Sequence, residues 1–182
     1  ELAADIVLAG IGVLPETALA EQCGLSVDNG VVTDMHCRSS DPAIYAIGDC
    51  AARPMAHFDD RLVRLESVHN AVEGAKITAA AITGAKEPNL EAPWFWSDQY
   101  DLKLQIAGLF QGYDQLAIRG AMADRSFAAF YYKGGKLIAV DAVNKPAEYL
   151  GAKLLIQTGR SLPPDTITDI SRPMKELVAS AQ

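Results

Sequence analysis

Near the end of residues 40–50, Gly48 is followed by the carboxylate of Asp49, and such a pair can bind a ligand. The apolar residues 44–47 predict a buried strand, and Gly48 and Asp49 follow at its end. A glycine lets a ligand come close to the backbone, and a carboxylate accepts hydrogen bonds from sugar or polyol hydroxyl groups. Open α/β sheets bind their ligands at this end of a strand. The same spacing also describes an ordinary strand that ends in a Gly-Asp turn.

A helix start forms the second candidate site. Ser67 is a favourable N-cap, and the Ala-rich stretch that follows predicts a helix over residues 68–83, ended by Gly84. The free N–H groups and the positive dipole end of such a helix favour a negative or electron-rich group nearby. An ordinary capped helix has the same sequence features, so this pattern alone leaves both interpretations open.

Aromatic side chains are concentrated in residues 93–100, which include both tryptophans of the chain, Trp94 and Trp96. Large aromatic rings can form a flat wall against a planar ligand, or a contact surface for a partner protein. They can equally fill the core at a domain boundary, because tryptophan is often largely buried.

Composition excludes several functional classes. The 182 residues carry a net charge of −7, which argues against nucleic acid or an anionic membrane surface as partner. Three cysteines without a CxxC pair predict neither a disulfide scaffold nor a zinc site. The sequence offers no HExxH motif and no nucleophile–base arrangement, so we predict no catalytic side chain and no metal ligand. No apolar run is long enough to span a bilayer.

The first half predicts an α/β arrangement. Residues 5–11 form an apolar run typical of a buried parallel strand, and residues 16–22 predict a helix after Pro15. Residues 31–33 predict a further short strand. We assign residues 1–86 to the first domain, and we interpret the charged, proline-containing segment 85–93 as the linker.

The second half predicts a small antiparallel sheet with helices beside it, over residues 92–182. Strands are expected at residues 102–109 and 115–119. Two more, at 127–132 and 136–143, flank a Lys-Gly-Gly turn that is a strong hairpin signal. Two prolines, at positions 146 and 173, mark the starts of helices, the first running to about residue 158.

Taken together, these segments resemble the flavin-dependent ferredoxin and rubredoxin reductases that feed bacterial oxygenases. The resemblance covers nearly the whole chain, and its most specific part is the Trp-Phe-Trp-Ser-Asp-Gln segment at 94–99. The other segments that carry it are residues 10–15, 45–49, 66–71 and 140–146. It implies the final part of a two-dinucleotide-binding flavoprotein fold, followed by a C-terminal α+β domain.

The resemblance also implies cofactors and their sites. FAD and NAD(P)H are the expected cofactors. Asp49, beside Gly48, is expected to hold the ribityl and phosphate side of FAD, while the helix start at Glu66, Ser67 and Val68 faces the pyrimidine edge of the flavin. Trp96 is expected near the isoalloxazine. Gly12 and Val13 are expected near the nicotinamide.

The implied partner is a 2Fe–2S ferredoxin or a rubredoxin that serves an oxygenase. Because ferredoxins are usually acidic, the docking face should carry local positive charge. Lys76, Trp94 and Lys103 are the candidates for this face, although both lysines also fit a solvated surface. A cytoplasmic location is expected, and a homodimer is left open.

The chain departs from the family pattern because it contains no GxGxxG fingerprint. We therefore expect the isolated chain to be inactive and to bind FAD weakly or not at all. Two other classes stay open. One is a related flavoenzyme with another acceptor, either NADH peroxidase-like or apoptosis-inducing-factor-like. The other is a non-enzymatic module used for protein contacts or dimerisation.

Overall fold

Three short strands form the sheet of the first half. In this computed structural model, which describes residues 2–181, β1 (Val31–Val32) pairs in parallel with β2 (Ala51–Met55). β2 also pairs antiparallel with β3 (Arg61–Arg64), which gives the order β1-β2-β3. A short helix α1 (Ala18–Gln22) precedes the sheet, and the long helix α2 (Val68–Thr83) follows it. The predicted helices and the strand near residue 31 are therefore confirmed.

Two strand predictions in this half are wrong. Residues 5–11 form no strand, and residues 2–14 are exposed throughout, with Leu8 92% accessible. A strand exists only where a neighbouring strand takes up its backbone hydrogen bonds, and no described strand pairs with this run. Residues 44–47 are likewise not a buried strand. A single bridge joins Tyr45 to Arg38, and Ile44 and Ile47 are partly exposed.

Helix α2 packs against the segment that leads to Gly48. Gly74 lies so close to Ile47 that a Cβ at position 74 would come within 3.2 Å of the Ile47 Cβ. Cys37 is buried on the same side of the helix, 3.8 Å from that added Cβ. This close approach holds the 48–50 turn beside the first turn of α2.

The second half contains a five-stranded antiparallel sheet in the order β4-β5-β8-β7-β6. Its strands are β4 (Trp94–Gln99), β5 (Leu102–Gly108), β6 (Gln115–Ala121), β7 (Ser126–Lys133) and β8 (Lys136–Val143). The sheet confirms the predicted α+β domain. The predicted hairpin is also confirmed, because Lys133 pairs with Lys136 across Gly134 and Gly135, both at positive φ.

Three helices cover one face of this sheet. They are α3 (Pro146–Gln157), α4 (Pro164–Thr168) and α5 (Met174–Ser180). Between sheet and helices lies the main core, in which Phe130, Tyr132 and Leu155 are fully buried. The Tyr132 hydroxyl donates to the Leu162 carbonyl at 2.9 Å, so this large core residue has its polar atom satisfied. Among the helices of residues 2–181, none is long and apolar enough to cross a membrane.

Candidate functional site

The turn that carries Gly48 and Asp49 lies against the amino end of α2. Gly48 has a φ of +73°, and a Cβ there would lie 3.6 Å from the Cβ of Ala71. Its carbonyl oxygen accepts a hydrogen bond from Nδ2 of Asn70 at 3.5 Å. The side chain of Asp49 is exposed and makes no hydrogen bond within the described part of the chain. Its carboxylate is therefore available to ligand hydroxyl groups.

The amino end of α2 is capped by Ser67, but some N–H groups of its first turn remain free. The Ser67 hydroxyl oxygen accepts a hydrogen bond from the backbone N–H of Asn70 at 3.1 Å. The Asn70 side chain donates to the Leu65 carbonyl at 2.9 Å, which fixes the chain as it enters the helix. The N–H groups of Val68 and His69 have no intrahelical acceptor, because they belong to the first turn. These two groups can donate to an electron-rich ligand atom.

An arginine neutralises the charge of the carboxylate that precedes the helix. Nη1 of Arg64 lies 2.5 Å from Oε1 of Glu66 and also donates to the Asp49 carbonyl at 3.1 Å. This arginine is largely buried, whereas the glutamate side chain is 39% accessible. The negative charge of Glu66 is therefore balanced, and it does not cancel the attraction of the helix end for an electron-rich group.

Strand β4 presents the aromatic side chains on two faces. Trp94 and Trp96 share one face, with ring centroids 5.6 Å apart, and Phe95 points to the other face. Trp94 packs against the main core, and its Nε1 is buried with no acceptor in the structure. Trp96 is 43% accessible. The pair therefore runs from the core to the surface.

The helix end and the aromatic strand form the walls of one cleft of about 210 Å³. Its N-terminal wall contains Glu66 and Ser67, and its other wall contains Trp94, Phe95 and Ile106. Complete small-molecule pockets usually measure about 300–1,000 Å³, so this cleft accommodates only part of a large ligand. Largely apolar walls beside the free N–H groups at the start of α2 fit a flat ring with acceptor atoms at its edge. The flavin ring of FAD has this character.

The structure brings most of the predicted cofactor residues together. Glu66, Ser67 and Trp94 line the cleft, Val68 begins the helix beside it, and the turn at 48–49 contacts the same helix end. Trp96, predicted to lie near the flavin, is not among the residues that line this cleft, whereas Trp94 is. The position of Trp96 beside the flavin stays a prediction.

Four other predicted residues lie outside the cleft. Gly12 and Val13 belong to the exposed segment 2–14, and a Cβ at position 12 would have nothing within 4 Å. Lys76 is exposed on α2, and Lys103 is exposed on β5. The structure thus leaves both lysines accessible without placing either in the cleft.

A polar cluster beside the cleft was missed by the sequence analysis. Buried Glu73 on α2 pairs with buried Arg53 on β2 and accepts the backbone N–H of Glu91 at 3.1 Å. Oε2 of Glu91 lies 2.7 Å from Nζ of Lys153 on α3. The hydrogen bond from Lys153 lowers the pKa of Glu91. Because these residues are far apart in sequence, no local pattern indicates the cluster, which joins the two halves of the chain.

Two family descriptions match the sequence. "Pyridine nucleotide-disulphide oxidoreductase" matches residues 1–75, and "Reductase C-terminal" matches residues 94–178. Putidaredoxin reductase from Pseudomonas putida is 45% identical over 181 residues, which are 100% of this chain and 43% of that protein. Rubredoxin-NAD(+) reductase from Pseudomonas putida is 42% identical over 147 residues, 80% of this chain and 38% of the relative.

A solved structure, of the covalent putidaredoxin reductase–putidaredoxin complex, matches with a TM-score of 0.93 and 45% identity. The match covers 98% of this chain and 43% of that one. The chain belongs to the family of ferredoxin and rubredoxin reductases. It spans about 43% of the length of the relative from Pseudomonas putida named first above.

Proposed function

We propose that this chain is part of a flavoprotein that passes electrons from NAD(P)H through FAD to a 2Fe–2S ferredoxin or a rubredoxin serving an oxygenase. The observation that carries the proposal is the cleft of about 210 Å³, which lies between the segment that leads into α2, with Glu66 and Ser67, and the aromatic strand β4. The relatives support it, because the names of several, including putidaredoxin reductase and rubredoxin-NAD(+) reductase, describe this kind of activity.

In this proposal, the cleft and the neighbouring 48–49 turn each bind a different part of FAD. FAD, when bound, supplies the chemistry that joins hydride transfer to single-electron transfer. Asp49 holds the polyol side of the cofactor, and Gly48 leaves room for its approach. The N–H groups of Val68 and His69 donate to the electron-rich edge of the ring. Trp94 and Phe95 exclude water from the site.

The sites for NAD(P)H and for the adenine half of FAD would then lie in other parts of the complete protein. The chain contains neither of the two glycine fingerprints that bind dinucleotide phosphates. We propose the same division into domains as before, 1–86 and 92–182, with Gly12 and Val13 returning the chain from the NAD-binding region. A cytoplasmic location remains part of this proposal.

The ferredoxin-docking surface is proposed around the accessible indole of Trp96. Trp94 lies behind it towards the cleft, and the exposed Lys76 and Lys103 supply positive charge for an acidic partner. For a Lys76→Glu variant of the complete protein, we expect slower ferredoxin reduction and an unchanged rate with ferricyanide. Equal effects on both acceptors would remove Lys76 from the docking surface.

The proposed activity is tested with the complete protein, NADH or NADPH, and a 2Fe–2S ferredoxin in stopped flow. Bleaching of the ferredoxin absorbance at a rate that saturates with ferredoxin concentration is the expected result. A protein that oxidises NADH with peroxide but leaves ferredoxin oxidised would instead support the peroxidase-like alternative. Absence of any flavin absorbance in the complete protein would support a non-enzymatic interaction module.

A further inference from the structure

His69 contacts both walls of the cleft region. It is the second residue of α2, and its ring centroid lies 5.2 Å from that of Trp94 on β4, at an interplanar angle of 40°. Nε2 of His69 is 3.9 Å from Oε1 of Glu73 and 4.0 Å from Oε2 of Glu91. Only 12% of the histidine side chain is accessible. The imidazole therefore connects the helix, the linker and the aromatic strand.

The groups around the imidazole are themselves fixed. Glu73 is held by Arg53, and its other oxygen accepts the backbone N–H of Glu91 at 3.1 Å. Glu91 is held by Lys153, whose Nζ also lies 5.0 Å from the centroid of the Trp94 ring. Two carboxylates and two cations balance one another here. A neutral imidazole adds no charge to this balance.

Trp94 depends on ring contacts for its orientation. Its Nε1 has no acceptor within the described part of the chain, so no hydrogen bond fixes the rotation of the indole. The contacts that remain are with His69, with Lys153, with Trp96 and with the core. Of these neighbours, only the histidine comes from α2. The His69 ring is therefore a direct contact through which the indole is held near the helix end.

We propose that His69 is a positioning residue, which holds the Trp94 indole in register with the amino end of α2 and thereby keeps the Trp94–Trp96 pair aligned for electron transfer. The role in electron transfer rests on the proposed reductase function. The contact itself does not, because it is a property of the described residues.

The protonation of His69 provides an independent readout. Burial lowers the pKa of His69, and the charges of Lys153 and Arg53 act in the same direction, while Glu73 and Glu91 oppose them. The ring is therefore neutral at neutral pH, and acidification adds a positive charge directly beside the indole. A protonated imidazole quenches a neighbouring indole, so the fluorescence of Trp94 should report this step.

The experiment uses the complete protein, with and without a His69→Gln substitution. The Trp94 signal is the difference between the fluorescence of each form and that of its Trp94→Phe counterpart. For the unsubstituted protein we expect quenching on acidification with a midpoint below the usual histidine pKa, and for His69→Gln no titration. His36→Gln is the matched control, because His36 is exposed and pairs with Glu87. In this variant the Trp94 signal should change with pH as it does in the unsubstituted protein.

Rates with two acceptors complete the test. His69→Ala should lower the ratio of the ferredoxin rate to the ferricyanide rate by roughly tenfold, because a misplaced indole lies in the proposed route of the electron. His69→Gln, which keeps a planar polar group, should restore much of the loss. A Trp94 signal that titrates equally in His69→Gln, or a ratio of the two rates unchanged in His69→Ala, would overturn the positioning role. If no form reduces ferredoxin but the histidine-dependent titration is present, the contact stands and the reductase function fails.

Discussion

The hydroxyl oxygen of Ser67 accepts the backbone N–H of Asn70 at 3.1 Å, and this bond sets the start of α2 at the cleft. Asn70 in turn donates to the carbonyls of Leu65 and Gly48, at 2.9 and 3.5 Å. The helix cap therefore ties together the helix end, the segment before it and the glycine turn. The geometry of the proposed flavin site depends on this small set of bonds.

Replacing Ser67 with alanine should remove the cap and cost about 1 kcal/mol of helix stability. In hydrogen–deuterium exchange of the complete protein, the amides of the first turn of α2 should exchange faster. Ser67→Thr keeps a capping hydroxyl and serves as the control, with exchange close to that of the unsubstituted protein. Equal exchange in the alanine and threonine variants would show that the hydroxyl contributes nothing.

Buried Arg119 ties β6 to the last helices of the chain. Its Nε lies 3.2 Å from Oε1 of Glu148, and its other nitrogens donate to the carbonyls of Ile167, Asp169 and Arg172 at 2.6–3.0 Å. Arg119→Met should destabilise the protein by roughly 3–5 kcal/mol, because it removes the donor to three carbonyls and leaves buried Glu148 only the more distant Lys145 at 3.9 Å. Thermal unfolding measures the loss, and exchange should rise across residues 164–180.

The matched control for this arginine is Arg125→Met. Arg125 also pairs with a carboxylate, that of Asp101 at 3.0 Å, but both side chains are more than half accessible. Exposed pairs contribute only about 0–1 kcal/mol, so the control should be nearly neutral. Similar losses in both variants would contradict the assignment of Arg119 as the anchor of the C-terminal helices.

Asp141 on β8 should make stability depend on pH. One carboxylate oxygen accepts the Tyr131 hydroxyl at 2.7 Å, and the other is buried without a partner in the described structure. Burial raises the pKa of Asp141, while the hydrogen bond from Tyr131 lowers it. Because the folded-state pKa lies above the unfolded one, the stabilising contribution is present at low pH and is lost as pH rises through the folded pKa.

Asp141→Asn should therefore be more stable than the unsubstituted protein at neutral pH and should lose this advantage as the pH falls below the ordinary aspartate pKa. Urea unfolding across this pH range measures the difference. Asp124→Asn, which changes an exposed aspartate, is the control variant. An advantage of Asp141→Asn that is constant with pH would contradict the effect of burial on this carboxylate.

The isolated 182-residue chain should bind FAD weakly or not at all. Its cleft of about 210 Å³ accepts only part of the cofactor, and it contains no glycine fingerprint for the dinucleotide phosphates. The visible absorbance of the purified chain after incubation with FAD and gel filtration measures this. One flavin per isolated chain would show that the described residues suffice for FAD binding. The complete protein should keep its FAD through the same gel filtration.

Sequence patterns predicted four of the five strands of the second half, and β6 and β7 each pair with the next strand along the chain. Strand β4 was identified only as an aromatic segment. The Gly134-Gly135 turn fixes β7 against β8, and the predicted strand 136–143 has the observed bounds. In the first half the strand at β2 was missed, since Arg53 and Pro54 interrupt its apolar pattern. The polar pair of Arg53 with Glu73 allows that strand to be buried, and only the folded chain shows it.

In the candidate site, too, some features were predictable from short segments and others appear only in the folded chain. The cap at Ser67 and the aromatic segment at 93–100 were visible locally, because capping and aromatic content are properties of short segments, although the strand at 94–99 was not predicted. Trp94 and Trp96 lie on the same face of β4, opposite Ala107 and Gln105, so their position along the strand decides which of them lines the cleft. The link from Glu91 to Lys153 crosses 62 residues, so no local signal could reveal it.

The amino end of α2 offers a direct test of the flavin site. Val68→Pro removes one free N–H of the first helical turn, and proline suits that position because its ring favours a helix start. Ser67 before it already has the extended conformation that proline requires, with φ −152° and ψ 148°. The substitution therefore deletes a single donor and leaves the helix in place. Val68→Ala keeps the donor and is the matched control.

The deciding measurement is the midpoint potential of FAD in the complete protein with each substitution at Val68. If the helix end faces the flavin, Val68→Pro should make the two-electron potential more negative by roughly 30 mV, as expected for the loss of one hydrogen bond to a charged group. Val68→Ala should leave it unchanged. Equal potentials in Val68→Pro and Val68→Ala would contradict placement of the flavin at the amino end of α2.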